Sequence, residues 1–126
     1  MTKKKTATIL IVEDETSLND AYAMILKQAG YNVKTAFNGE EALKLTKDFE
    51  PDLVLLDLRM PHLDGVGFLR KYHLKDEHPD VKVIVFSNYD MQKEIDQAYQ
   101  LGAQRYILKT WASPKELLQI VDSTLN

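Results

Sequence analysis

The chain contains no cysteine. Disulfides, thiolate catalysis and zinc–cysteine sites are therefore excluded, and a reducing compartment fits. Charge of one sign is also lacking: 16 Lys and Arg stand against 19 Asp and Glu, a net charge of −3. That balance gives no nucleic-acid footprint. The only basic run, Lys3 to Lys5, reads as a solvated N-terminal tail over residues 1–5. No apolar run approaches a membrane span. "TATILIV" (Thr6 to Val12) is too short for a signal peptide and runs straight into Glu13, Asp14 and Glu15, so no leader is expected. Linkers, low-complexity tracts and repeats are absent too.

What is present is an ordinary soluble composition. The 126 residues are 44% hydrophobic and 28% charged, which argues against disorder and suits one domain over residues 1–126 with a real core. A cytoplasmic location is expected.

Short apolar runs alternate with helical patterns. "TATILIV" is the first strand. The helix after it spaces Leu18, Ala21, Tyr22, Ile25, Leu26 and Ala29 on one face and stops at Gly30. "YNVKTAF" alternates like a strand. Asn38 and Glu41 form a capping box for a second helix, with Ala42, Leu45, Thr46 and Phe49 on one face and Pro51 as its end. "DLVLLDL" is the third strand. Asp64 caps a helix predicted to run to about Lys75. "VKVIVFS" (Val81 to Ser87) is the fourth strand. Met91 to Leu101 is helical, with Ile95, Ala98 and Tyr99 inward and Gly102 past its end. "QRYIL" is the fifth strand. Ser113, Pro114 and Glu116 start the last helix, which runs to about Leu125.

Strands alternating with helices imply an α/β fold, (βα)₅, with a parallel sheet covered by helices on both faces. "TILIV", "LVLL" and "VKVIVF" are apolar enough to be central. "YNVKTAF" and "QRYIL" are mixed and suit edges. With right-handed crossovers, the doubly wound order 2-1-3-4-5 satisfies both conditions. Ligands in such sheets bind at the carboxyl ends of the strands, here between strands 1 and 3.

Strand 1 ends in Glu13 and Asp14, strand 3 in Asp57, strand 4 in Ser87, and strand 5 just before Lys109. Three carboxylates therefore converge at the switch point, with a hydroxyl and an ammonium opposite. Carboxylates this close either take up a proton or bind a cation. A hard oxygen site with open positions suits Mg²⁺ or Mn²⁺. A carboxylate can also attack phosphorus and form an aspartyl phosphate, a step that needs mainly positioning and charge neutralisation.

The segments "ILIVEDE", "LVLLDLRMPHLDG", "VIVFSN" and "AQRYILK" together resemble the receiver domain of two-component response regulators, over essentially the whole chain. The resemblance implies that Asp57 is the phosphoacceptor, fed by a histidine kinase or phosphotransfer protein. It implies that Glu13 and Asp14 form the acidic pocket, and that Mg²⁺ is held by Glu13, Asp14, Asp57 and the backbone carbonyl of Arg59. Ser87 becomes the switch hydroxyl, Lys109 the lysine of the site, and Tyr106 the aromatic switch. Such a domain catalyses its own phosphorylation and dephosphorylation without being a metabolic enzyme. Its output is a downstream protein or a fused effector, read from the fourth helix, fifth strand and fifth helix, and a phosphorylation-linked homodimer is compatible with it. No nucleic acid or membrane contact is implied for this domain itself.

Other readings stand beside this one. Glu13 and Asp14 could begin a helix, where acids suit the dipole, and Tyr106 could be edge-strand packing. "GVGFLR" begins like a dinucleotide fingerprint but lacks the third glycine, and reads as a helix start. His62, His73 and His78 lack metal spacing and read as solvated or packing residues. A flavodoxin-like flavin carrier would need a hydroxyl- and glycine-rich loop where "EDETSLND" stands. An aspartate-nucleophile phosphatase would carry an acid where Arg59 stands. A phosphorylation-independent interaction domain of the same fold is the remaining alternative. One departure from the family pattern matters: "LKTW" places Thr110 where a proline usually follows the lysine. A cis bond there costs about 3–4 kcal/mol without proline, so Lys109–Thr110 is expected to be trans. Trp111 is expected to cover an apolar patch near Tyr106 or to meet a partner.

Overall fold

The computed structural model describes residues 7–88, 90–109 and 113–126. The expectations for the tail at residues 1–5, the Lys109–Thr110 bond and Trp111 lie outside the described residues. The elements are β1 (Thr8–Val12), α1 (Thr16–Gln28), β2 (Asn32–Ala36), α2 (Gly39–Leu45), β3 (Leu53–Asp57), α3 (Gly65–Tyr72), α4 (Leu74–Glu77), β4 (Lys82–Ser87), α5 (Gln92–Gln100), β5 (Arg105–Leu108) and α6 (Pro114–Leu125). All strand pairs are parallel, in the order β2-β1-β3-β4-β5. The doubly wound (βα)₅ expectation holds.

Strand alternation sorts the apolar side chains into two cores. On one face Leu10, Val54, Leu56, Val83 and Val85 pack with residues of α2, α3 and α5, such as Ala42, Phe68 and Ile95. On the other, Ile9, Ile11, Leu55, Ile84 and Phe86 pack with Tyr22 and Leu26 of α1 and Leu117 and Val121 of α6. β3 is buried along its whole length, whereas β2 and β5 are largely exposed. This is the central and edge pattern that composition implied.

The starts of the helices follow their caps. Asp64 accepts from the Gly67 N–H at 2.8 Å, and Ser113 with Glu116 completes a full capping box. Asn38 accepts from Glu41 N–H, but the Glu41 carboxylate reaches the Phe37 N–H, not that of Asn38. Gly102 takes φ 114 just past α5, a conformation that suits glycine.

Besides that incomplete capping box at Asn38, four expectations need correction. The helix capped by Asp64 does not run on to Lys75: it ends at Tyr72, His73 turns left-handed at φ 58, and α4 begins afresh. This break seats Leu74 in the core. The second helix ends at Leu45, where the Thr46 hydroxyl bonds back to the Ala42 carbonyl at 2.9 Å. The buried stripe of α1 is Asn19, Tyr22, Ala23 and Leu26, while Ala21 and Ala29 face solvent. Tyr99 is 40% exposed, not inward. Among the histidines, His78 has a packing role: it stacks on Tyr72 at 4.1 Å and bonds Glu50 at 2.6 Å.

Candidate functional site

Register brings the predicted residues to one end of the sheet. Val12 pairs with Leu56, so the next residues, Glu13 and Asp57, leave adjacent strands side by side. Asp57 pairs with Phe86, and Ser87 with Leu108. Ser87 therefore stands between Asp57 and Lys109, and the lysine side chain crosses the end of β4 to reach the acids. Gly65 lets α3 approach closely: a Cβ there would lie 2.6 Å from the Asp57 carbonyl oxygen.

Glu13 and Asp57 are only 2% and 3% exposed, while Asp14 is exposed. One carboxylate oxygen from each lies within 4.8 Å of the others. The three form an acidic cluster able to coordinate a divalent metal. They do not start the helix, because α1 begins only at Thr16. The Lys109 ammonium lies 2.9 Å from Glu13 Oε1 and 3.0 Å from Asp57 Oδ2. Backbone donors complete the set: Glu15 N–H donates to Glu13 Oε2 at 3.0 Å, and Arg59 N–H to Asp57 Oδ1 at 3.3 Å.

The electrostatics follow from this packing. Burial, with the Asp57 charge adding to it, pushes the Glu13 carboxyl up to about 7 against the opposing Glu15 N–H and Lys109. Burial also raises Asp57, with Asp14 adding and Lys109 and the Arg59 N–H opposing. For Lys109, burial alone would lower the ammonium, but its bonds to Glu13 and Asp57 outweigh that and leave it raised. Three carboxyl groups thus meet one ammonium, the condition under which such a cluster takes up a proton or holds a cation.

Ser87 is fully buried, and its Oγ has no partner among the described residues. An unpaired buried hydroxyl is costly unless something else binds it. Tyr106 points outward, 45% exposed, with its ring edge-on to Tyr99 at 6.3 Å. The Arg59 guanidinium turns away from the acids toward Glu94, 4.0 Å distant.

Residues 9–122 match the family described as the response regulator receiver domain. The chain belongs to that family. Receiver domains of this kind typically act with histidine kinases in two-component systems. The chain is 34% identical over 122 residues to the probable transcriptional regulator ycf27 of Cyanidium caldarium, covering 97% of this chain and 47% of that protein. It is 40% identical over 116 residues to the protein of the same name from Guillardia theta, covering 92% and 43%. The chain thus spans about half the length of the curated relatives it matches. Among solved structures, the receiver domain protein (CheY-like) of Methanospirillum hungatei superposes with a TM-score of 0.87 at 30% identity, covering 95% of this chain and 94% of that one. The receiver domain of NtrX from Brucella abortus gives 0.82 at 31%, covering 93% and 97%. Among the described residues, no helix of this receiver is long and apolar enough to cross a membrane.

One buried polar residue behind the receiver's site was missed in the sequence. Asn19 is fully buried on α1 and hydrogen-bonds the backbone of Glu13. The available signal was an asparagine in phase with Tyr22, Ala23 and Leu26, a polar residue on a helix's apolar stripe.

Proposed function

We propose that the domain accepts a phosphoryl group on Asp57, from a histidine kinase or phosphotransfer protein, and passes the change to a protein surface. The observation that carries this reading is the meeting of Glu13, Asp14 and Asp57 within 4.8 Å, with Lys109 about 3 Å from two of them. The donor set is all oxygen, two of its carboxyls are raised by burial, and a buried hydroxyl next to it lacks a partner among the described residues. That chemistry suits Mg²⁺ or Mn²⁺. Glu13, Asp14, Asp57 and the Arg59 backbone carbonyl would hold the ion, which supplies neutralising charge at the phosphoryl oxygens.

The chain's own groups do the rest. An Asp57 carboxylate oxygen attacks phosphorus and forms the new P–O bond. The P–N bond of the phosphohistidine breaks, and its electron pair leaves on the imidazole nitrogen. Lys109 exchanges a carboxylate contact for a phosphoryl oxygen, and the Ser87 hydroxyl donates to another. The added charge, about −1.5 to −2 if it resembles a phosphoserine, favours a second packing of the loops after β3 and β4. The surface that changes is α5, β5 and α6, where Tyr99 and Tyr106 stand exposed, and Tyr106 turns inward as Ser87 moves. A downstream protein or a fused effector reads that surface.

The test is incubation with acetyl phosphate followed by intact mass. The protein is expected to gain one phosphoryl group with Mg²⁺ and none when the metal is chelated. Equal gain without metal would overturn the metal assignment.

A further inference from the structure

Asn19 sits where the first turn of α1 passes the mouth of the sheet. It is fully buried. Its side-chain amide donates to the Glu13 carbonyl at 2.9 Å and to the Ala36 carbonyl at 3.1 Å. Ala36 ends β2, and its carbonyl also accepts the Glu13 N–H at 3.1 Å. The Asn19 N–H donates to the Glu15 carbonyl at 2.9 Å. One side chain therefore ties α1, the turn after β1 and the end of β2 together, and Glu13 is held at both its N–H and its carbonyl.

The chemistry of the position is narrow. Both partners are carbonyls, so the group facing them must be a double donor, and an amide NH₂ is the smallest neutral one. Asn19 Oδ1 has no partner among the described residues, so the residue carries the cost of a buried unpaired acceptor. Aspartate would remove both donors and bury a further charge beside Glu13 and Asp14. Leucine would leave the Glu13 carbonyl without this donor. Neither Glu13 nor Asp14 lies in a regular element, so the direction of their carboxylates depends on the backbone of this turn.

We propose that Asn19 is a positioning residue for the divalent-metal site: it fixes the Glu13–Asp14 turn so that both carboxylates face Asp57. This rests on the metal-binding part of the proposed function. Groups that orient metal ligands typically change affinity by about 10- to 100-fold when lost. Two backbone bonds on a partly solvated pair place Asn19 at the lower end.

Mg²⁺ affinity of the purified chain, measured by titration calorimetry, tests this. Asn19→Ala is expected to weaken Mg²⁺ binding about tenfold, and Asn19→Ser, which keeps one donor, to recover part of it. The Mg²⁺ concentration giving half-maximal phosphorylation by acetyl phosphate should rise in parallel, while the rate at saturating Mg²⁺ stays within about twofold of wild type, because the ligands themselves are intact. Leu117→Ala is the control for general destabilisation: Leu117 is fully buried on α6, in the core it shares with Tyr22 and Leu26 of α1, and makes no hydrogen bond to the Glu13–Asp14 turn, so its loss should lower the melting temperature without changing Mg²⁺ affinity. Should Asn19→Ala fail to fold, Asn19→Ser carries the comparison. Wild-type affinity in the asparagine variants, or equal weakening in Leu117→Ala, would overturn the proposal. Failure of the wild type itself to bind Mg²⁺ would instead defeat the metal reading on which it rests.

Discussion

Lys109→Met is expected to slow phosphorylation of the protein by acetyl phosphate about 100-fold or more. The substitution keeps most of the stem and removes the charge. Lys109 is the ammonium set between Glu13 and Asp57 at 2.9 and 3.0 Å, and removing one preorganised group that stabilises transition-state charge typically costs about 10²–10³ in rate. The same change leaves two buried carboxylates with less compensation. Breaking a buried ion pair by removing one partner costs about 3–5 kcal/mol. The Lys109 side chain is 21% exposed, so solvent reduces the loss to about 2 kcal/mol. The expected signature is therefore double: a large fall in the single-turnover rate, and a lower melting temperature in metal-free buffer that added Mg²⁺ partly restores. A rate within about twofold of wild type would remove Lys109 from the mechanism.

Phe86→Ala is expected to give the largest loss of stability, about 4 kcal/mol, read as a drop in the urea midpoint. Phe86 is 1% exposed and lies on the central strand β4. Its ring stacks on Tyr22 of α1 at 5.1 Å and 9°. Its backbone carbonyl accepts the Leu58 N–H at 3.2 Å, just past Asp57. The cavity would open between the sheet and α1, with β4 and α1 both too constrained by their neighbours to close it. Stability of a single domain is about 5–15 kcal/mol, so the variant should still fold, with phosphorylation measurable at low temperature. A loss under about 1 kcal/mol would mean that this face of the core collapses far more readily than its packing implies.

Much of the fold was legible because parallel sheets write themselves plainly. Central strands are apolar on both faces, so "LVLL" and "VKVIVF" could only lie inside, and the mixed "YNVKTAF" and "QRYIL" only at edges. Once the order was set, Glu13, Asp14, Asp57, Ser87 and Lys109 had to leave the same end of the sheet. Their convergence is thus a consequence of topology, not of local sequence.

What was not legible depends on contacts between elements. His73 turns left-handed, a conformation uncommon outside glycine even though histidine adopts it more often than most, and Leu74 just after it is buried in the core. Tyr99 reads as inward by spacing, yet its ring is held outside against Tyr106. Asn19 looks unfavourable for a helix interior. Only the structure shows that its amide meets two carbonyls from other segments. Arg59 faces Glu94 through its guanidinium and Asp57 through its N–H, a division of roles that no residue-type argument reveals.

The most direct test of the central claim compares the wild type with Asp57→Asn. Both are incubated with acetyl phosphate and Mg²⁺, and their intact masses are then measured. The wild type is expected to gain one phosphoryl group and Asp57→Asn none. A wild type that gains no phosphoryl mass, or an Asp57→Asn protein that gains as much as the wild type, would contradict the assignment of Asp57 as the phosphoacceptor.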